Sequence, residues 1–255
     1  MIEFRQVTAG YEGKMVLQKI CATLESGKVT VLLGPNGCGK STLLKTLVRI
    51  NPHKQGNILI DGKEIGEYST SDLAKKVAYL PQNKKAPEIS VLKMVLHGRF
   101  AHLNYPRRYR SVDMEIAKKS LEKVGMLEHA ETLVSKLSGG MQQKVYIAMA
   151  LAQDSEIILL DEPTTYLDIE HQLRLLELIK QLTGEGKTVV VVLHDLSQAL
   201  RIADQVILLK EGKVLDQGTA EEIFERGSLE EVFGVKMEKI STKEGEIIWH
   251  YSRFL

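Results

Sequence analysis

The strongest constraint on this chain lies where the apolar run Val29–Leu33 stops at Gly34. The segment Gly34-Pro35-Asn36-Gly37-Cys38-Gly39-Lys40-Ser41 has the spacing G-x-x-x-x-G-K-[ST], and helical periodicity follows from Lys40 to about Arg49. An apolar run of this kind is expected of a strand buried on both faces, as in a parallel sheet. Glycines at 34, 37 and 39 let backbone N–H groups converge on phosphate oxygens without interference from Cβ atoms. The helix behind them adds the positive end of its dipole. Gly34–Thr42, with Pro35, Asn36 and Thr42 included, therefore reads as a triphosphate cradle. Lys40 is expected to reach the β- and γ-phosphates and Ser41 Oγ to ligate Mg²⁺. Cys38 contributes mainly its backbone. Its thiol is either a passive small side chain or one activated by the positive surroundings of the loop.

Two further apolar runs end in chemistry. Ile157–Leu160 leads into Asp161-Glu162, and Val189–Leu193 into His194. In parallel sheets ligands bind beyond the carboxyl ends of the strands, so these side chains are expected on the same edge as the cradle. Asp161 would hold Mg²⁺ through its water shell, Glu162 would act as general base on the attacking water, and His194 would sense the γ-phosphate. Taken alone, Asp-Glu-Pro is an ordinary polar turn and a strand-end histidine an ordinary structural residue. The phosphate loop upstream is what changes both readings.

A second phosphate-binding device stands at Leu137-Ser138-Gly139-Gly140-Met141. Ser138 suits a helix N-cap, and the two glycines expose N–H groups at the positive end of the helix Gln142–Gln153. By itself this is an ordinary capped helix. Together with Gly34–Thr42 it gives one chain two phosphate devices.

The remaining features bound the class. The chain of 255 residues is 44% hydrophobic, enough to bury a large core. Its net charge of +1 gives no field that would draw it to nucleic acid. The apolar runs are strand-sized, with none near the roughly 20 residues of a membrane span, and no secretion signal opens the chain. Cys21 and Cys38 are too few for a disulfide framework, which fits a cytoplasmic setting. The order of elements predicts an α/β fold with a mainly parallel sheet flanked by helices and N-terminal strands at Ile2–Val7, Val16–Leu24 and Asn57–Ile60. A charged helical lobe is expected from Gln82 to about Lys136, with Arg107, Arg108 and Arg110 in a solvated loop rather than on a docking surface. A helix is expected near Ala220–Glu225, and the run Ile247–Tyr251 is strand-like. The division expected is a nucleotide-binding core with a β subdomain over residues 1–81 and 146–220, a helical subdomain over 82–145, and a C-terminal extension over 221–255.

In order and spacing, the phosphate loop, Gln82 after Ala78-Tyr79-Leu80-Pro81, Leu-Ser-Gly-Gly, Leu159-Leu160-Asp161-Glu162-Pro163, Leu167-Asp168 and His194 resemble the ATP-binding cassette family across most of the chain. The resemblance implies a P-loop ATPase fold and a head-to-tail homodimer, with ATP held between Gly34–Ser41 of one copy and Ser138–Gly140 of the other. It also implies that Tyr11 stacks on adenine, that Gln82 contacts Mg²⁺ and water, and that Asp168 couples the two sites. The family usually carries Gln where this chain has Met141, and a thioether cannot replace the hydrogen bonds of an amide. The segments Gly98-Arg99-Phe100-Ala101-His102-Leu103, Thr164-Thr165-Tyr166 and Asp195-Leu196-Ser197 are similar to those of importers of ferric siderophores, haem or cobalamin. That implies integral membrane permease subunits as partners, a periplasmic or extracellular binding protein acting indirectly, and a place on the cytoplasmic face of the membrane. Three other readings compete: a soluble cassette ATPase uncoupled from transport, a cassette transporter ATPase for another substrate, and a nucleotide-gated scaffold without turnover.

Overall fold

The computed structural model describes residues 1–82, 85–242 and 247–253. Residues 83–84 of the expected helical lobe, and residues 243–246 and 254–255 of the expected extension, lie outside the described residues. In chain order the strands are β1 (Ile2–Tyr11), β2 (Lys14–Leu24), β3 (Val29–Leu33), β4 (Gln55–Ile60), β5 (Lys63–Glu64), β6 (Val77–Leu80), β7 (Ile157–Asp161), β8 (Thr188–Val192), β9 (Gln205–Lys210), β10 (Lys213–Gly218), β11 (Val235–Ser241) and β12 (Ile247–Arg253). The α-helices are α1 (Lys40–Leu47), α2 (Thr70–Lys76), α3 (Val91–Leu96), α4 (Ser111–Lys123), α5 (Gly139–Ala152), α6 (Ile169–Gly184), α7 (Leu196–Ile202), α8 (Ala220–Glu225) and α9 (Ser228–Phe233). The chain divides into two compact units, residues 1–67 with 182–255, and residues 68–181.

In the first unit β1 is the spine of an antiparallel sheet in the order β2-β1-β4-β5. From Ile20 onward β2 alternates buried (Ile20, Ala22, Leu24) with exposed (Cys21, Thr23), the period of a strand with one face in the core. By contrast β3 is buried at every residue and pairs in parallel with both β8 and β9, Val31 lying opposite Val191 on one side and Val206 on the other. This double-sided burial is why these strands read as unbroken apolar runs. Strand β10 closes that side of the sheet antiparallel to β9, and α7 packs on β3. The C-terminal run Ile247–Tyr251 is part of β12, which pairs antiparallel with β11 in register Met237 to Tyr251 and Lys239 to Trp249. Strand β11 leaves little trace in the sequence because Met237 is its one buried residue.

The second unit holds the parallel pair β6–β7, with Tyr79 opposite Leu159, and a helical part in which α3, α4 and α5 pack against one another. The segment Gly98–Leu103 ties this part together. A Cβ on Gly98 would stand 2.3 Å from Met149 O, so only glycine fits against α5. Buried Arg99 donates to Ala152 O at 2.8 Å and pairs with buried Asp113 at 3.2 Å, while His102 Nε2 lies 2.8 Å from Gln153 O. Burial disfavours the charge of Asp113, but hydrogen bonds from Arg110 and Arg99 outweigh it and hold its carboxyl below the usual range. Arg107, Arg108 and Arg110 are exposed, as both a solvated loop and a docking surface require. Arg107 stacks 4.2 Å above the Phe100 ring and Arg110 reaches Asp113.

Candidate active site

The phosphate loop is held from behind by the rest of its unit. A Cβ on Gly34 would lie 2.1 Å from Leu209 O, and one on Gly39 would lie 2.6 Å from Leu17 Cδ2. Gly34, Gly37 and Gly39 have φ of 149, 78 and 111, a region that side-chain-bearing residues rarely adopt. Cys38 N–H donates to Pro35 O, and Gly212 N–H donates to Cys38 O at 3.1 Å, pinning the loop to the β9–β10 turn. Lys40 is buried in the first turn of α1, where its Nζ donates to Gly34 O at 2.7 Å and Pro35 O at 3.1 Å. The loop thus curls around its own ammonium group.

Cys38 is buried with the loop, and its Sγ lies 4.0 Å from Lys40 Nζ. Burial raises its pKa, and the opposing pull of Lys40 is weaker. Desolvation thus favours the neutral thiol, in line with the reading of Cys38 as a passive small side chain. Tyr11 ends β1 opposite Lys14 and is 47% exposed, a ring available for stacking.

In the second unit Asp161 is the last residue of β7 and fully enclosed, and its Oδ2 accepts a hydrogen bond from Tyr79 Oη at 3.1 Å. Glu162 follows at φ 52, a left-handed conformation that costs a non-glycine residue about 1 kcal/mol or more and turns the chain sharply out of the strand. That turn gives the two adjacent carboxylates different surroundings. Gln82, just beyond β6, donates from Nε2 to Glu162 Oε2 at 2.6 Å. Gln82 and Glu162, far apart in sequence, are thus brought into contact.

At the expected second phosphate device Ser138 is the N-cap of α5 and its Oγ accepts from Met141 N–H at 3.3 Å. The helix start rests on the turn after the acid pair. A Cβ on Gly140 would lie 3.0 Å from Tyr166 O, whereas one on Gly139 would make only ordinary contacts, the nearest at 3.7 Å. Gln143 Nε2 donates to Pro163 O at 2.6 Å, fastening the same two segments, and Gln142 Nε2 donates to Leu137 O at 2.9 Å. Asp168 caps α6, accepting from His171 N–H at 2.9 Å and lying 2.6 Å from His171 Nδ1. Those hydrogen bonds lower its pKa. In the first unit exposed His194 stands two residues past β8, and the next residue, Asp195, caps α7 by accepting from Gln198 N–H at 2.7 Å.

Sequence reading assigned no role to Tyr79 or Gln143. Tyr79 carried a weak signal, a polar-tipped ring in a buried strand next to the Gln82 segment. Gln143 carried none, because its partner is a backbone carbonyl far away in sequence.

The family model described as ABC transporter matches residues 17–165. The chain belongs to the ABC transporter family. Over 92% of its length it is 44% identical to the iron(3+)-hydroxamate import ATP-binding protein FhuC of Bacillus subtilis (strain 168), covering 88% of that protein. It is 42% identical to the ferric enterobactin transport ATP-binding protein FepC of Escherichia coli (strain K12), over 91% of this chain and 86% of that one. Among solved structures it superposes on a chain from an inward-facing conformation of a putative metal-chelate type ABC transporter with a TM-score of 0.84 at 29% identity, covering 100% of this chain and 97% of that one. This cassette is an ATP-binding ATPase with the P-loop fold expected from its sequence. No helix among the described residues is long and apolar enough to cross a membrane.

Proposed function

We propose that this ABC ATPase powers uptake of a metal chelate, a ferric siderophore foremost, through separate integral membrane subunits fed by an external binding protein. The observation that carries this reading is the near full-length match to ATP-binding proteins named for ferric-chelate import. Two copies associate head to tail on the cytoplasmic face of the membrane. Gly34–Thr42 of one copy and Ser138–Met141 of the other enclose each ATP, with Tyr11 against adenine.

The residues suit magnesium. Ser41 hydroxyl, Asp161 carboxylate and Gln82 amide are hard oxygen donors, few enough to leave places for water and phosphate. When bound, Mg²⁺ neutralises charge on the phosphates. Lys40 lies against the β- and γ-phosphates. Glu162 accepts the proton of the attacking water while the Gln82 amide fixes the plane of its carboxylate. His194 orients that water and the γ-phosphate. Asp168, at the cap of α6, couples the two sites of the dimer. ATP binding closes the dimer, hydrolysis reopens it, and the membrane subunits follow.

The test is to purify the chain with its membrane subunits and measure ATPase activity with binding protein and candidate chelates. Stimulation by ferric siderophore, and by neither apo-siderophore nor unrelated solutes, is expected. Stimulation by a non-chelate solute would overturn the cargo. In the same assembly Glu162→Gln is expected to retain ATP affinity and lose turnover by about a hundredfold or more. Wild-type turnover in that variant would remove Glu162 from the role of base.

A further inference from the structure

The C-terminal hairpin β11–β12 packs on α7, the helix that begins immediately after His194. Its position is set by several independent contacts. Trp249, the only tryptophan in the chain, is buried with its ring 5.2 Å from that of Phe224, and Lys239 Nζ lies 5.8 Å from its centroid. Lys239 also pairs with Glu221 at 2.6 Å, and Met237 N–H donates to Glu230 Oε1 at 2.8 Å, so α8 and α9 hold the outer strand.

From this anchored frame β12 makes two polar contacts with the segment that carries His194. Ser197 Oγ donates to Trp249 O. Tyr251 Oη donates to Asp195 Oδ2 at 3.3 Å, while Oδ1 of the same carboxylate accepts the N-cap hydrogen bond from Gln198 N–H. The Asp195 carboxylate is therefore gripped from both sides, one oxygen by its own helix and the other by the hairpin. The adjacent His194 backbone inherits that constraint, because buried Leu193 fixes it from the strand side. With its neighbours on both sides held, the backbone at 194 is confined in the path it can take, which sets the point from which the imidazole projects.

We infer that the C-terminal hairpin is a brace that positions His194 for hydrolysis, with Tyr251 as the positioning residue acting through Asp195. This rests on the proposed role of His194 at the γ-phosphate. Tyr251 touches no reacting atom in this scheme. It narrows the range of orientations in which His194 meets the terminal phosphate, so its loss should slow the chemical step and leave ATP binding intact.

The test uses the 255-residue chain with Tyr251→Phe, which keeps the ring and removes only the hydroxyl. Steady-state ATPase is expected to show kcat lowered about threefold to tenfold, the range of a single hydrogen bond. KM for ATP and affinity for a non-hydrolysable ATP analogue should stay unchanged, and the thermal unfolding midpoint should fall by no more than about 4 °C. Lys236→Ala, on the same hairpin but away from Asp195, is expected to leave kcat as it is. In a His194→Ala background, Tyr251→Phe should lower the residual rate no further. Wild-type kcat in Tyr251→Phe overturns the brace, as does an undiminished effect in the His194→Ala background. Wild-type kcat in His194→Ala overturns instead the reading on which the brace rests.

Discussion

The two helix starts proposed to bind phosphate share a glycine-rich approach and differ in nearly every other respect. At Gly34–Ser41 the glycines lie outside helical geometry, two of them have no room for a Cβ, and a buried lysine sits in the curl. At Ser138–Gly140 both glycines are already in the first turn of α5, the cap is a serine, and Ser138 and Gly139 are exposed. The first is a concave cradle with its own cation. The second is a helix end that presents N–H groups and brings no counter-charge within its motif. A cradle can hold a polyphosphate alone, whereas a bare helix end adds to one already held. The difference is in keeping with the proposed reading, in which Ser138–Gly140 of one copy meets a nucleotide held by the cradle of another.

The largest expected effect comes from Gly34→Ala. The new methyl would meet Leu209 O at 2.1 Å and Cys38 Sγ at 2.7 Å in a backbone conformation that disfavours side chains. Destabilisation of about 3 kcal/mol or more is expected, together with loss of ATP binding. Thermal unfolding and nucleotide titration check both. A folded variant that binds ATP with wild-type affinity would show that the loop does not need this geometry, and the contrast with the second device would fail.

How far these regions were legible follows from the same contrast. The cradle and the acid pair were readable because burial on both faces leaves an unbroken apolar run, and β3, β7 and β8 each end at a motif. The helix start at Ser138 was readable from its cap and glycines, but its seat was not. Gln143 to Pro163 O and Gly140 against Tyr166 O are long-range contacts to backbone carbonyls, which impose no periodicity on either segment. Gly98 and Arg99 stood out in the sequence only by resemblance. Their physical reason is close packing on α5 and a buried ion pair, so that motif is explained by folding. Strand β11, whose one buried residue is Met237, was missed because a single buried position defines no pattern.

A middle-sized pair of effects would sharpen the comparison. Ser138→Ala removes the cap and should cost about 1 kcal/mol of stability. Gly139→Ala acts in the opposite direction, since its Cβ meets nothing closer than 3.7 Å and alanine gains a fraction of the roughly 1 kcal/mol by which it exceeds glycine in a helix. If the exposed N–H groups of this turn approach phosphate in a dimer, Gly139→Ala should nevertheless lower turnover while leaving ATP affinity of the single chain unchanged. Stability measured by denaturation and activity measured by steady-state ATPase would then move in opposite directions. Parallel movement would mean that the turn matters only for folding.

The smallest effect is expected at Met141. Met141 donates its backbone N–H to Ser138 Oγ, a bond that any residue except proline can supply. The side-chain amides that tie the helix start to its surroundings come from the next two residues, Gln142 to Leu137 O and Gln143 to Pro163 O. Met141→Gln would place a third amide in a segment where that work is already done. The ATPase rate should change by less than about tenfold, under 1.4 kcal/mol in the barrier. A rise of about a hundredfold, 2.7 kcal/mol, would reveal that the thioether limits the second device as it stands. The difference between the two helix starts would then lie in one side chain rather than in their architecture.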